Sequence, residues 1–108
     1  MKFIKKIIIN KNNIYFNFTS KYKINKNGLI FFGNPIYRNI DHVTQKNIDK
    51  HIHYISGVFM CLFINKDNFF IYNDIGGNYR IYYKKLKNKT IITDNYQILL
   101  KKKITLNH

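Results

Sequence analysis

The chain has 108 residues, a formal net charge of +14 and one cysteine. Its length predicts one small domain, residues 1–108, and excludes a second core. The longest apolar run, residues 58–64, falls far short of the roughly 18 residues that cross a bilayer, so no membrane association is expected. One cysteine cannot form an internal disulfide, and the apolar N-terminal stretch is too short for a signal peptide. These features predict a soluble, cytoplasmic protein.

The N-terminal third is predicted to be a β-meander. Apolar and aromatic residues that suit strands recur there in short runs, separated by turns rich in Asn and Gly. Four strands are predicted, at residues 3–9, 14–18, 21–24 and 29–32. Because the proline nitrogen cannot donate to a ladder, Pro35 marks the end of the last one.

The periodicity then changes to that of a helix, over residues 41–55. Apolar positions spaced i, i+4 and i+7 lie on one face of a helix. Here they are Ile48, Ile52 and Ile55. Asp41 or Thr44 can cap the N-terminus by accepting backbone N–H bonds, and Gly57 ends the helix.

After the helix the chain is predicted to return to strands. Residues 58–64 are apolar on both faces, as expected for a central strand covered on both sides. Adjacent glycines permit positive φ, so Gly76 and Gly77 predict a β-hairpin that joins residues 68–73 to residues 80–85.

The C-terminal part is predicted to contain one more strand, at residues 90–93, and a short helix at residues 94–101. Thr93 or Asp94 would cap this helix, and its apolar residues Ile98 and Leu99 would face inward. Together the elements predict an α+β fold class, mostly antiparallel β-sheet with one or two helices.

Several residues in the second half share the order and the gaps of a known family motif. They are Gly57, Phe59, Asp74, Gly77, Ile81, Tyr82, Tyr83 and Asp94. In the family a Gly-x-Phe strand precedes Arg-Asp-x-x-Gly-x-x-x-Leu-Tyr-Tyr, and a following strand ends in Ala-Ser-Glu, with Asp94 here in place of the glutamate. Residues 56–100 thus resemble the second half of the N-terminal glutaminase domain of the asparagine synthetase family. The resemblance implies a partial N-terminal-nucleophile (Ntn) hydrolase-like layer.

The sequence departs from this family where the family's chemistry resides. The family's glutaminase needs a cysteine exposed as the first residue after removal of Met, and here Lys2 follows Met1. The only thiol, Cys61, lies inside an apolar run, which predicts a buried and unreactive side chain. Asn73 and Arg80 stand where the family has Arg and Pro. We therefore expect no catalytic residue, no cofactor and no enzymatic activity.

The size of the chain bears on the partners that the resemblance implies. The family domain is a four-layer sandwich of about twice this length, so a chain this short would leave one apolar sheet face uncovered. Either a second copy in a homodimer or a separate synthetase-like subunit would cover that face. The implied function is a non-catalytic accessory or scaffold domain, which assists a separate ATP-dependent amide-forming synthetase in a biosynthetic pathway that modifies peptides or sugars.

The basic charge gives an alternative hypothesis, a nucleic-acid-binding protein. Lysines flank the final strands and would form an anion-facing rim beside the stacking tyrosines Tyr79, Tyr82 and Tyr83. They are Lys84, Lys85, Lys87 and Lys89. The competing interpretation is a solvated surface with core tyrosines. It is favoured because 17 of the 19 basic residues are Lys, whereas Arg is better suited to phosphate contacts, and because AT-rich codons would by themselves enrich Lys.

A third hypothesis is an amidase in which Cys61 is an unrecognised nucleophile.

The histidines do not predict a metal site. His51 and His53 stand at i and i+2 of the predicted helix and point to different faces, so they cannot easily share a tetrahedral ion. No feature of the sequence brings Asp41 and His42 to Cys61 as a thiol triad. No metal ligand is therefore assigned.

Overall fold

The computed structural model describes residues 6–10, 14–74 and 76–97. Within these ranges the chain forms two β-sheets and one helical segment, which confirms the predicted α+β class. The eight strands are β1 (Lys6–Asn10), β2 (Ile14–Asn17), β3 (Tyr22–Ile24), β4 (Ile30–Gly33), β5 (Phe59–Asn65), β6 (Asn68–Asn73), β7 (Tyr82–Lys85) and β8 (Thr90–Thr93).

The larger sheet has five strands in the order β1-β6-β5-β4-β3, and every pairing in it is antiparallel. Two of the pairings are the hairpins β3–β4 and β5–β6, which turn at the Asn-rich segments that the sequence predicts. In the second hairpin the backbone at Lys66 has a positive φ of 57°. The strand β1 then adds to the open edge of β6, with Ile8 opposite Phe70.

The smaller sheet has the order β2-β8-β7 and contains the one parallel pairing of the described strands, in which Ile14 lies beside Thr90.

This strand order shows that two predictions are wrong. The first two strands are not a hairpin, because β1 and β2 belong to different sheets. The glycine segment is not a hairpin turn either. Both edges of β6 are already paired with β5 and β1, so the chain crosses at Gly76 and Gly77 into the smaller sheet.

The helical segment is shorter and less regular than predicted. It consists of a 3-10 turn at Ile40–His42, the helix α1 at Ile48–His51 and a second 3-10 turn at Ile52–Tyr54. In the described part of the chain no helix is long and apolar enough to span a membrane.

The start of the helical segment identifies its cap. The Thr44 hydroxyl accepts the Asn47 N–H, and the Asn47 side chain accepts the Thr44 N–H. This reciprocal pair has the bonds of a capping box. Thr44 therefore caps the turn that leads into α1, whereas the N-cap residue of α1 itself is Asn47, which makes no side-chain cap bond. The other predicted cap, Asp41, instead accepts the Lys26 N–H.

Both faces of the larger sheet are covered. On one face Phe31, Phe59 and Cys61 pack against the buried isoleucines of the helical segment, as their spacing predicts. On the other face Met60 and Ile71 pack against residues of the smaller sheet. The fold thus has three layers, helical segment, five-stranded sheet and three-stranded sheet. The expectation of an uncovered apolar face on the main sheet is wrong, because the chain itself supplies the second sheet.

Candidate functional site at the junction of the sheets

A network of hydrogen bonds around Asp94 joins the two sheets. Asp94 follows directly after β8, and its carboxylate accepts bonds from the backbone N–H and the hydroxyl of both Thr19 and Ser20, at 2.9–3.1 Å. The Tyr79 hydroxyl donates a further bond of 2.9 Å to Asp94 Oδ2. Five donor groups therefore converge on one carboxylate.

The charge state of Asp94 follows from this network. Partial burial disfavours the charged carboxylate, but the bonds donated by Thr19, Ser20 and Tyr79 outweigh it and hold the pKa of Asp94 below its ordinary value of 3.8. Burial, together with donation to Asp94, raises the pKa of the Tyr79 hydroxyl. At neutral pH the network thus contains a carboxylate anion and a neutral phenol that donates to it.

Asp74 organises the segment that crosses between the sheets. Its side chain is 2% exposed and accepts the backbone N–H groups of Asn78 and Tyr79 at 3.0 and 2.8 Å. Its own N–H donates to the carbonyl of Phe59 in β5. Tyr79 is thereby held at both ends, because Asp74 binds its backbone and Asp94 binds its hydroxyl.

A shallow pocket of about 400 Å³ opens beside this network. It is lined by Ser20, Gly33, Asn34, Val58, Asn78, Tyr79, Arg80 and Asp94. Gly33 has φ +87°, and a Cβ there would lie 2.5 Å from the Val58 carbonyl oxygen and 3.2 Å from the Tyr79 ring. Only glycine allows β4 to approach this closely. Arg80 is the one cationic residue in the lining.

The chemistry available in this pocket is limited. A carboxylate has about four lone-pair positions, and the donors on Asp94 occupy them, so it is not free to take a proton from a substrate. Asp74 likewise has both side-chain oxygens bonded. The network fixes the geometry of the junction, and the pocket offers Arg80 and neutral polar groups for binding.

The structure brings together only part of the motif that carries the family resemblance. Asp74 and Asp94 are joined through Tyr79 at the sheet junction, and the Phe59 carbonyl accepts the Asp74 N–H. Gly57 lies next to the loop after β4, where its Cβ would be 2.2 Å from the Asn34 carbonyl oxygen.

The other motif residues lie away from the Asp94 carboxylate. Gly77 has φ +65° and open space around its Cα, so it serves the crossing of the chain. Ile81 packs against the core between the sheets. Tyr82 is half-buried with its ring 5.1 Å from that of Tyr96, and Tyr83 is 52% exposed. The prediction that the tyrosines are core residues therefore holds for Tyr79 and is wrong for Tyr83.

Sequence reasoning missed the partners of Asp94. Thr19 and Ser20 lie 75 and 74 positions away in the chain. Two adjacent hydroxyl residues after a strand indicate a side-chain-bonded turn, but nothing in their pattern names the acceptor. The second half of the predicted C-terminal helix at residues 94–101, from Ile98 onward, lies outside the described residues, and Leu99 is part of it.

Cys61 lies on the other face of the sheet from this network. It is fully buried in the core against the helical segment, which confirms the predicted burial. Burial raises the pKa of the thiol well above its ordinary range. A thiol held in the protonated form in an apolar core is a weak nucleophile.

The four lysines of the predicted rim do not share one surface. Lys84 and Lys85 are neighbours on β7 and project to opposite faces of the smaller sheet. Lys87 lies in the exposed turn that the Leu86 N–H closes by donating to the Lys89 carbonyl. Lys89 is half-buried.

The histidines are separated as well. His51 bonds the Tyr37 hydroxyl at 2.6 Å, whereas His42 and His53 are exposed. In the described ranges no three residues of the His, Cys, Asp and Glu types lie close enough to hold a metal ion.

Comparison with known proteins identifies no relative, since no family model matches the chain and no curated protein or solved structure does so.

Proposed function

We propose that this chain is a non-catalytic accessory or scaffold domain that works through a protein partner in the cytoplasm. The observation that carries the proposal is the separation of its reactive groups by the main sheet. Cys61 is buried on the helical side, and the polar network with its pocket lies on the other side of β5. A nucleophile and a polar group in these positions cannot act on one substrate.

The proposed partner is an ATP-dependent amide-forming synthetase, in a pathway that modifies peptides or sugars. Two features support it. The segment with Asp74 and Asp94 has the spacing of the asparagine synthetase motif, and both carboxylates serve the same structural junction. The order of layers, helical segment, antiparallel sheet and second sheet, is the order that part of an Ntn sandwich would have. The proposed role is that of a glutaminase-like framework that has lost its nucleophile.

The partner is tested by a binding experiment with purified proteins. The purified chain is mixed with a synthetase-like protein that lacks its own amidotransferase domain and is encoded next to it, and the mass of the complex is measured by light scattering. We expect a defined complex. A monomer that leaves every such synthetase unbound would contradict the proposal.

The absence of activity is tested by ammonia release from glutamine and asparagine, with Cys61→Ser as the matched variant. Because the thiol is buried and protonated, we expect no release above the blank from either protein. Turnover that disappears in Cys61→Ser would establish the amidase hypothesis instead.

A second candidate function is nucleic-acid binding, which one observation favours. The chain has five carboxylates against 19 basic residues. Four of the five accept hydrogen bonds from neutral donors, as seen for Asp41, Asp49, Asp74 and Asp94. A surface so rich in cations attracts polyanions.

Salt dependence tests this second candidate. The affinity for a single-stranded oligonucleotide would fall steeply with salt concentration because bound counterions are released. Because the attraction would come from the surface charge as a whole, Lys84→Gln with Lys85→Gln and Lys46→Gln with Lys50→Gln should reduce the slope by similar amounts. No binding at low salt would eliminate this function.

A further inference from the structure

The strand β3 lies at one edge of the larger sheet. Within the described residues β3 pairs only with β4. The Gly33 N–H donates to the Lys21 carbonyl, and the Asn25 N–H donates to the Leu29 carbonyl. Because antiparallel ladders alternate, the backbone groups of Tyr22 and Ile24 point outward from the sheet.

The side chains on this edge are apolar and largely exposed. Tyr22 and Ile24 are each 60% exposed and lie on the same face of β3. The Tyr22 ring packs against the Phe32 ring, with 5.6 Å between the two ring centroids. Phe32 continues a row of rings through Phe18 and Phe16 to Phe69, with centroids 4.6–5.7 Å apart.

The charge on this edge is positive. Lys21 and Lys23 alternate with the apolar residues, and Lys26 follows in the turn, all three exposed. Two carboxylates lie beside this edge, since Asp94 accepts the backbone N–H of Ser20, next to Lys21, and Asp41 accepts the backbone N–H of Lys26. A strand laid along β3 would therefore meet cations on one face and apolar groups on the other.

The edge is also rigidly supported. The Asn25 amide donates to the carbonyls of Ile40 and Val43 at 2.8 and 2.9 Å, and its oxygen accepts the Leu29 N–H. These bonds fasten the β3–β4 turn to the segment before α1. A pocket of about 300 Å³ lies beside β3, and Phe31, Pro35 and Ile40 are among its lining residues.

We propose that β3 receives an extended segment of a partner protein as a sixth strand, and that this segment carries alternating acidic and apolar side chains. Backbone bonds to Tyr22 and Ile24 would supply affinity. The acidic side chains would meet Lys21 and Lys23, and the apolar ones would cover the exposed rings and methyl groups. The inference rests on the proposed function, since it names how the partner docks.

Lysines on an edge strand have a second known effect, which is to prevent pairing between sheets. The two readings predict different behaviour toward an acidic peptide. If the lysines only prevent pairing, an acidic strand gains nothing from the edge beyond diffuse attraction. If β3 is a docking edge, binding depends on strand pattern as well as on charge.

The test uses the full chain and a seven-residue peptide, acetyl-Glu-Val-Glu-Val-Glu-Val-Glu-amide, with a shuffled peptide of the same composition as control. We expect amide shifts in nuclear magnetic resonance spectra confined to residues 21–25 and slower exchange at Tyr22 and Ile24. N-methylation of the peptide at alternate residues gives two versions. Only the version whose methyl groups face β3 should lose affinity, by about tenfold or more.

Ile24→Pro is the matched protein variant, because it removes an outward N–H and leaves the bonds to β4 in place. We expect this variant to lose peptide affinity by the same factor, about tenfold. Lys23→Gln should lose more affinity than the control Lys46→Gln, and the opposite order would count against the proposal. If Ile24→Pro fails to fold, the N-methylated peptides decide the question. Equal binding of the patterned and shuffled peptides, or no shift at β3 at about 1 mM peptide, would overturn the proposal.

The two proposals fail in different ways. A synthetase subunit that binds Ile24→Pro as well as the wild type would refute docking at β3 and leave the scaffold function standing. Binding of the patterned peptide at β3 without any synthetase complex would refute the scaffold function and leave the docking edge.

Discussion

The central strands of the two sheets, β5 and β8, are held in different ways. β5 lies between two antiparallel neighbours and buries Phe59 through Phe63 against apolar groups on both faces. β8 has a parallel neighbour from the start of the chain, and the residue that follows it, Asp94, binds the Thr19–Ser20 segment through its charge. The larger sheet therefore depends on apolar burial, and the smaller sheet depends in addition on an ionised group.

The strongest test of this difference is Phe59→Ala. Phe59 is fully buried under the helical segment, so truncation should cost about 3–5 kcal/mol in the free energy of unfolding. Since the free energy of unfolding of such domains is about 5–15 kcal/mol in total, both sheets should unfold together at a much lower urea concentration than in the wild type. Val58→Ala, at a neighbouring side chain that is 45% exposed, is the control and should cost less than about 1 kcal/mol. A similar cost for both would contradict the role of β5.

Gly57→Ala tests the connection between the helical segment and β5. Gly57 has φ +91°, and a Cβ would lie 2.2 Å from the Asn34 carbonyl oxygen, so the backbone must shift. We expect a loss of about 2 kcal/mol in urea unfolding. Gly28→Ala is the matched control with φ +82° and open space, and only the conformational cost of about 1 kcal/mol should remain. Equal losses would show that the close contact is unimportant.

Asp94→Asn should loosen the smaller sheet selectively. Asn has one accepting oxygen in place of two, so it can accept only part of the bonds that Thr19, Ser20 and Tyr79 donate, and we expect a loss of about 2 kcal/mol. Hydrogen exchange should accelerate in β7 and β8 before it does in β5 and β6. Asp41→Asn, which retains an oxygen for the Lys26 N–H, is the control and should change little. Uniform acceleration across both sheets would remove the distinction between them.

The pH dependence sharpens the same comparison. The pKa of Asp94 is lower in the folded chain than its ordinary value of 3.8. The contribution of ionised Asp94 to stability is therefore fully present at pH values above 3.8. It is lost progressively as the pH falls from 3.8 to the lower pKa of the folded state. Urea midpoints measured from pH 6 to about pH 2 should fall less steeply in Asp94→Asn than in the wild type. Parallel curves would exclude Asp94 as the titrating group.

Tyr79→Phe should give the smallest effect. It removes one of the five donors to Asp94 and leaves the buried ring in place. The expected loss is about 1 kcal/mol. In a double-mutant cycle with Asp94→Asn the two losses should not be fully additive, because both substitutions weaken the bond between Tyr79 and Asp94. Strict additivity would indicate that Tyr79 stabilises the fold by another route.

Local elements were predictable where a short segment contains its own partner. The hairpins β3–β4 and β5–β6 have their turn residues between two apolar runs, and the isoleucine face of the helical segment repeats at helical spacing. The burial of Cys61 followed from its place in a strand that is apolar on both faces. In each case the determining residues are close in the chain.

Pairing between distant strands was not predictable. The glycine segment at Gly76 and Gly77 reads as a hairpin turn, but β6 already has β5 on one edge and β1 on the other. The same ambiguity applies to the Asn-rich sequence that follows β1. A turn-forming sequence determines that the chain can change direction, whereas the strand it then meets depends on which edges are still open.

The sequence by itself determined which residues are apolar, where the strands and the helical segment occur, and that the single thiol would be buried. The tertiary structure decided that there are two sheets, that the chain covers both faces of its main sheet, and that Asp94 binds a segment 75 residues away. The physical reason is that side-chain periodicity acts over a few residues, while sheet order and a converging set of donors arise only when distant parts of the chain compete for the same edge and the same carboxylate.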